Sequence, residues 1–226
     1  PHHLVQNWRE LEAHGDISGI DYYSHNEFKR DSWEHSEFLH LLRYTRTYAA
    51  IPFIAEFQAG IWHGWHQISG ILTPQHYQLA AISALLAGVA GWNWYMLVNR
   101  DNWYMSPINE WGRTRPELLD VFKRLVTLFE AVDPPSLTKL SETAVALDVL
   151  DRSSEIGGFD DPIRTACYHA DIDYECFDLA SGKIRKPLLL YSGHRWMDAD
   201  SQRRLLEYVE TGGHLVFFDQ LPVLDA

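Results

Sequence analysis

The stretch IPFIAEFQAG, Ile51–Gly60, runs apolar through Ile51, Phe53, Ile54 and Ala55, meets one carboxylate at Glu56 and turns at Gly60. A short apolar run of this kind is the pattern of a strand covered on both faces, and the glycine with the aromatic residues after it marks a loop. Glu56 is therefore expected at the C-terminal end of a buried strand. In parallel α/β architectures, eight-stranded barrels included, ligand sites are assembled at that end, so a carboxylate there is a candidate for chemistry. The competing reading is a carboxylate at the edge of the core, paired with a Lys or Arg.

Working outward, the first part of the chain reads as helix Leu4–His14, strand Ile17–Tyr23, helix Ser36–Tyr48, strand Pro52–Phe57, helix Pro74–Ala87, strand Gly91–Leu97 and helix Arg115–Val132. This alternation suits βα units joined by parallel crossovers. Thr73 as N-cap and Pro74 at the first helical position give the third helix a clear start. Asp133, Pro134, Pro135 and Ser136 interrupt the pattern and set the domain boundary. Beyond them come strand Thr143–Leu150, helix Pro162–Ala170, strand Tyr174–Asp178, strand Pro187–Tyr191, helix Ala199–Glu210, a Gly212–Gly213 stop and strand His214–Phe218, read as an open, doubly wound sheet. A closed barrel needs eight βα units and about 250 residues. Only three strands precede Asp133, so residues 1–133 are expected to be the C-terminal portion of a (β/α)8 barrel. Residues 137–226 are then a second, incomplete α/β domain, and the chain is part of a longer protein, inactive when taken alone.

Composition narrows the function. The 226 residues are 46% hydrophobic and 13% aromatic, enough for a substantial core. With 19 Lys and Arg against 31 Asp and Glu the net charge is −12, which lacks the electrostatic footprint of a partner for nucleic acid or an anionic membrane. No apolar run approaches the roughly 20 residues that cross a bilayer, and the opening PHHLVQNWRELEAHG lacks the layout of a secretion signal. Cys167 and Cys176 have neither CxxC nor Cys/His spacing and are expected as buried free thiols. His63 and His66 have an HxxH spacing, but no third ligand stands at a recognisable distance, so no metal is assigned. Nothing in the sequence implies a cofactor.

At this point the residues resemble a known clan, the retaining glycoside hydrolases with (β/α)8 barrels, and within it the β-galactosidases of families 42 and 35. IPFIAEFQAG is similar to the seventh strand of that clan, which ends on the nucleophilic Glu. GIDYYS, Gly19–Ser24, is similar to the sixth strand; GWNWYMLVNRDNW, Gly91–Trp103, resembles the eighth; SPINEWG, Ser106–Gly112, resembles the turn that follows it. KPLLLYSGHRW and LLEYVETGGHLVFF look like the central strands and helix of the flavodoxin/amidotransferase-like α/β domain that follows the barrel in family 42 and makes its trimer contacts. The resemblance implies a carbohydrate substrate, a homo-oligomer formed through the second domain, and Glu56 as nucleophile. It also implies an acid/base Glu, from an Asn-Glu pair ending the fourth strand, that lies outside this sequence. Other members of the clan, a β-mannanase or β-glucosidase, and a non-catalytic carbohydrate-binding or assembly protein on the same fold are the rival readings.

Retaining hydrolysis needs two carboxyl groups about 5 to 5.5 Å apart, so Glu56 cannot act alone. Asn26–Glu27 is an Asn-Glu pair, but it follows the first strand and is read as a solvated loop or helix-approach charge. Sugar sites favour aromatic platforms, and Trp62, Trp65, Trp92, Trp94, Trp103 and Trp111 crowd the two loops; some of them are expected to be buried packing residues instead. In family 42 a Trp soon after the nucleophile lines the sugar pocket, a place that Trp62 or Trp65 would take. Tyr22, Trp94 and Trp103 are further candidates for sugar contact. Asn99, Arg100 and Asp101 follow the third strand and are expected either to bond sugar hydroxyls and keep Glu56 ionised, or, for Arg100 and Asp101, to form a surface ion pair. Amidotransferase chemistry needs a Cys on a glycine-flanked elbow; Cys167 and Cys176 have no such setting, so assembly is the role expected of the second domain.

Overall fold

The structure, a computed structural model, describes residues 12–15, 17, 19–62, 72–147, 162–192, 196–218 and 221–225. Its packing separates two compact units, Gly15–Lys139 and Leu140–Ala226, the described residues ahead of Gly15 grouping with the second. None of the described helices is long and apolar enough to cross a membrane.

The first unit runs β1 (Gly19–Tyr22), α1 (Ser32–Tyr48), β2 (Phe53–Gln58), β3 (Ile61–Trp62), α2 (Pro74–Ala87), β4 (Gly91–Tyr95), β5 (Trp103–Tyr104) and α3 (Pro116–Val132). Helix α2 starts as its sequence dictates, with the Thr73 hydroxyl accepting the His76 N–H and Pro74 in the first turn, and it stops at Gly88 in the left-handed region. Helix α1 begins a turn before Ser36, because Asp31 caps it by accepting the Glu34 N–H at 2.9 Å. Glu34 then accepts the backbone N–H groups of His25 and Asn26, tying the loop after β1 to the helix. The polar run at that start hid the first turn from a reading based on apolar periodicity.

The main sheet is parallel throughout, in the order β1–β2–β4. Its register slips by one residue within β2: Ile54 faces Ile20 and Trp92, and Glu56 faces Asp21, while Phe57 faces Tyr22 and Trp94. Ala55 is the extra residue, a bulge at the sheet's central strand. Ile54 and Phe57, three apart, are both buried as a result. Phe57 stacks on Trp94 at 5.0 Å and meets Phe38 of α1 at 5.8 Å; Trp92 and Trp94 meet Phe129 and Phe122 of α3 at 4.0 and 4.5 Å. That side of the sheet is the apolar core. The residues one step out of phase, Asp21, Tyr23, Glu56 and Tyr95, face the opposite side.

A polar layer joins the strand ends to the helices. Phe28 N–H donates to His76 Nδ1 at 3.3 Å, so the neutral ring carries its proton on Nε2 and donates it to Ser24 Oγ, 3.2 Å away. Glu27, expected as a solvated loop residue or a helix-approach charge, is buried and takes the second role: it accepts the Thr73 N–H and hydroxyl at the α2 N-terminus, with Arg30 Nε at 3.2 Å. Burial pushes its carboxyl up, but the Thr73 hydrogen bonds with Lys29 and Arg30 outweigh it and hold the group below its usual range.

The second unit has a four-stranded parallel sheet built from β6 (Thr143–Leu147), β7 (Glu175–Asp178), β8 (Leu188–Ser192) and β10 (His214–Phe218), in the order β10–β8–β6–β7. The described helices are α4 (Pro162–His169) and α5 (Ala199–Glu210); the short strands β9 (Trp196–Met197) and β11 (Leu224–Asp225) pair with each other. Ala144, Ala146, Leu189, Tyr191, Met197, Leu205 and Tyr208 belong to one buried cluster. Gly213 is required by a close approach: a Cβ there would lie 2.2 Å from the Tyr208 ring, whose hydroxyl lies 2.8 Å from the Pro187 carbonyl. Cys167 lies in α4 and Cys176 in β7, both buried and not disulfide-bonded.

Burial lowers both His76 and His35 to about 4, with a further push on His76 from His35, against Glu27, and on His35 from Arg43. Unfolded, each takes up a proton near 6.5; folded, not until about 4. Below 6.5 the unfolded chain therefore binds more protons, and stability falls as pH drops through that window, by at most about 1.4 kcal/mol per pH unit for each histidine. Glu34, raised by burial against its hydrogen bonds from His25 and Asn26, acts in the opposite sense. The comparison is therefore between wild type and His76→Gln by urea unfolding from pH 7 to 4. The variant should lose stability less steeply with acid; parallel curves would remove His76 from the acid response.

Candidate active site

Glu56 lies two residues before the end of β2, half-buried, on the side of the sheet away from the apolar core. The bulge at Ala55 puts it there. Tyr23, one residue past β1, donates its hydroxyl to Glu56 Oε2. Burial first, then that hydrogen bond and the charges of Glu56 and Asp21, push the Tyr23 phenol well above its usual value, so it stays protonated and remains a donor. Asp21 is the cross-strand neighbour of Glu56, and burial together with the Glu56 charge raises its carboxyl.

Aromatic rings wall this pair. Tyr23 meets Tyr95 edge-on at 6.3 Å and Trp103 at 5.9 Å, and Tyr95 meets Trp103 at 5.4 Å. Trp103 is buried, and its indole N–H donates to the Ala59 carbonyl at 3.0 Å. It belongs to a two-residue ribbon in which β3 and β5 pair antiparallel, Trp62 opposite Trp103 and Ile61 opposite Tyr104. Gly60 makes that approach possible: its φ is +109°, and a Cβ would sit 2.6 Å from Trp103 Nε1 and 2.7 Å from Ser106 Oγ. The Gly60 N–H donates to the Tyr77 hydroxyl of α2 at 3.0 Å.

The expected residues divide. Glu56 and Trp103 come together around Tyr23, and Trp62, exposed, lies beside Trp103 on the ribbon. Trp65, His63 and His66 lie outside the described residues. Tyr22 and Trp94 are on the core side instead, Tyr22 against Phe38 at 4.3 Å and Trp94 stacked on Phe57. Alternation along a strand explains both: the side chain one step further takes the other side, Tyr23 against Glu56 and Tyr95 against Tyr23. Asn99 is buried and bonds its own loop, accepting the Ser106 N–H at 2.9 Å and donating to Glu110 at 3.3 Å. Arg100 and Asp101 are exposed, with Arg100 Nη1 3.9 Å from the Met96 sulfur. The cationic partner foreseen for Glu56 is thus replaced by a neutral hydroxyl. Trp111 is exposed at the tip of a turn that Asn109 holds by accepting the N–H groups of Trp111 and Arg113. Among the described residues no group of three or more His, Cys, Asp or Glu is placed to hold a metal ion.

Tyr23 and Tyr95 were missed by the sequence reading, although the signal was present. In GIDYY and GWNWY the polar residues Asp21 and Asn93 mark the phase that leaves the apolar core, and Tyr23 and Tyr95 share it.

Comparison with known proteins places this geometry in context. Residues 148–226 match the family described as GLMA-like, second domain. No curated protein matches the chain in sequence. Among solved structures, a β-galactosidase from Bacillus circulans sp. alkalophilus superposes with a TM-score of 0.75 at 11% identity, over 96% of this chain and 34% of that one. A catalytic mutant of a GH42 β-galactosidase from G. stearothermophilus gives 0.67 at 14% identity, over 93% of this chain and 34% of that one. An exo-β-1,4-mannosidase from an Opitutaceae bacterium gives 0.57 at 12% identity, over 83% and 37%. The chain spans about a third of the length of the solved structures it matches. It is an α/β fold with parallel sheets that resembles part of the GH42 β-galactosidases.

Proposed function

We propose that this chain carries the nucleophile of a retaining β-glycosidase, most like a β-galactosidase, with the first unit as the C-terminal portion of a (β/α)8 catalytic barrel. The observation that carries the reading is Glu56 in the C-terminal half of the central strand, on the side away from the core, with the Tyr23 hydroxyl on its Oε2 and the rings of Tyr95 and Trp103 against Tyr23. A carboxylate oxygen of Glu56 attacks the anomeric carbon as the bond to the leaving oxygen breaks, and that oxygen takes a proton from an acid/base Glu supplied by the rest of the protein. Water then attacks the same carbon, gives its proton to that Glu, and frees Glu56. Tyr23 holds the attacking carboxylate in place as its charge is spent. Trp62 offers ring surface to the sugar, and the exposed Asn93, one residue before Trp94 and in the site's phase, joins it as a polar group, while the buried Trp103 packs against Tyr23. No cofactor enters the reaction.

For residues 137–226 we propose a flavodoxin/amidotransferase-like, doubly wound domain through which copies of the protein associate. Numbering its main strands by their place in the chain gives the order 2-1-3-4, the beginning of the flavodoxin-like arrangement. The match to a GLMA-like second domain over residues 148–226 supports the same reading.

In the full-length protein, Glu56→Gln should leave sugar binding nearly intact and reduce turnover by several orders of magnitude; unchanged turnover would remove Glu56 from the mechanism. Tyr23→Phe should lower kcat by about 10- to 100-fold with little change in KM, since it removes a contact to the nucleophile rather than to the sugar. Hydrolysis of aryl galactosides, glucosides and mannosides should favour the galactoside; a clear preference for the mannoside would move the protein toward the exo-mannosidase that its fold also resembles.

A further inference from the structure

The ladder between β1 and β2 ends at Tyr22 and Phe57, so backbone pairing does not place Tyr23, the residue whose hydroxyl meets Glu56. What holds the next residue is a side chain. Ser24 N–H donates at 2.7 Å to Oε1 of Gln58, two residues beyond Glu56, and because the donor there is an N–H, the facing atom of the amide is its oxygen. Gln58 is 3% exposed, and its Nε2 is buried with no hydrogen-bond partner among the described residues. A buried amide that leaves its own donor unused costs stability, so the side chain is held there for its oxygen. Ser24 is fixed a second time from α2, through the His76 Nε2 contact to its hydroxyl, and Tyr77, next in α2, receives the Gly60 N–H. The first turn of α2 thereby grips the strand ends on either side of the Tyr23–Glu56 bond.

We propose that Gln58, with Ser24 and His76, is a positioning residue that keeps the Tyr23 hydroxyl on Glu56. It touches neither sugar nor reacting atoms, and the proposal rests on the hydrolase reading above. The test is a double-mutant cycle in the full-length protein on an aryl β-galactoside. Gln58→Leu should lower kcat about tenfold or more while KM stays within about threefold. In a Tyr23→Phe background the same change should cost less than about threefold, because the contact it positions is already gone. Gln58→Glu, which keeps an acceptor oxygen for the Ser24 N–H, should recover most of the kcat lost in Gln58→Leu. This also separates a lost hydrogen bond from a damaged fold. Additive losses in the Tyr23→Phe background, or wild-type kcat in Gln58→Leu, would overturn the positioning role alone. Wild-type turnover in Glu56→Gln would overturn the hydrolase reading, and this proposal with it.

Discussion

Placing Ala55 as an extra residue between Ile54 and Glu56 lets one strand serve two incompatible surfaces. Under strict alternation Ile54 and Glu56 would share a face, and Ile54 is fully buried on the side packed by α1 and α3. Glu56 would then enter the layer of Phe38, Trp94 and Phe122 in place of Phe57, where an ionised carboxylate without partners costs several kcal/mol. With the bulge, Phe57 keeps the apolar phase and Glu56 takes the other, beside Tyr23. The register slip therefore decides whether β2 can have both a core and a site. It falls on the central strand, held by both neighbours, where it is less free to migrate than on an edge.

The choice of partner for Glu56 has a chemical logic. Asp21 stands opposite it, its own carboxyl raised by burial and by the Glu56 charge. A guanidinium would neutralise Glu56 but would also hold the carboxylate strongly in its charged ground state, the state a nucleophile must leave. A phenol kept protonated by burial and by the carboxylate itself supplies a directed hydrogen bond without a compensating charge. On the proposed reading that is a grip firm in geometry and modest in energy, suited to a group that gives up its charge on forming a bond to carbon.

Much of the fold was legible because strong local signals coincide with the elements. Thr73–Pro74 fixed the start of α2, the apolar runs located β2, β6 and β8, and the limits of α5 and β10 agree with the reading residue for residue. Less was legible at the site. A bulge has no signature in IAEF, since the extra residue is an alanine that fits either face, and without it the phase of Glu56 relative to Phe57 gives no hint of which neighbour it meets. Tyr22 and Trp94 stand one step out of the site's phase, and the phase that Asp21 and Asn93 mark carries Tyr23 and Tyr95 instead. The ribbon of Ile61–Trp62 with Trp103–Tyr104 was unreadable for another reason: two-residue strands carry no periodicity, and their pairing spans the whole of α2 and β4. For Glu27 the polar surroundings left both solvent and a helix approach open; its burial follows because the α2 N-terminus offers an N–H group that a buried carboxylate can accept.

The two tryptophans of the ribbon show how backbone geometry sorts residues of one type into different work. Trp103 spends its only donor on the Ala59 carbonyl and lies under the Gly60 turn, so what it turns toward Tyr23 and Tyr95 is ring carbon, edge to face. Such contacts set the tilt of the tyrosine rings, and the tilt of Tyr23 sets the direction of its hydroxyl. Trp62 is Trp103's cross-strand partner, yet it is 45% exposed. On the proposed reading, an indole whose backbone is already paired in the ribbon has a lower ordering cost for stacking on a sugar ring. The same turn at Gly60 thus places one buried ring against Tyr23 and leaves its cross-strand partner exposed. Replacing that glycine would disturb both, because its left-handed conformation and its missing side chain are what bring the ribbon to the strand end.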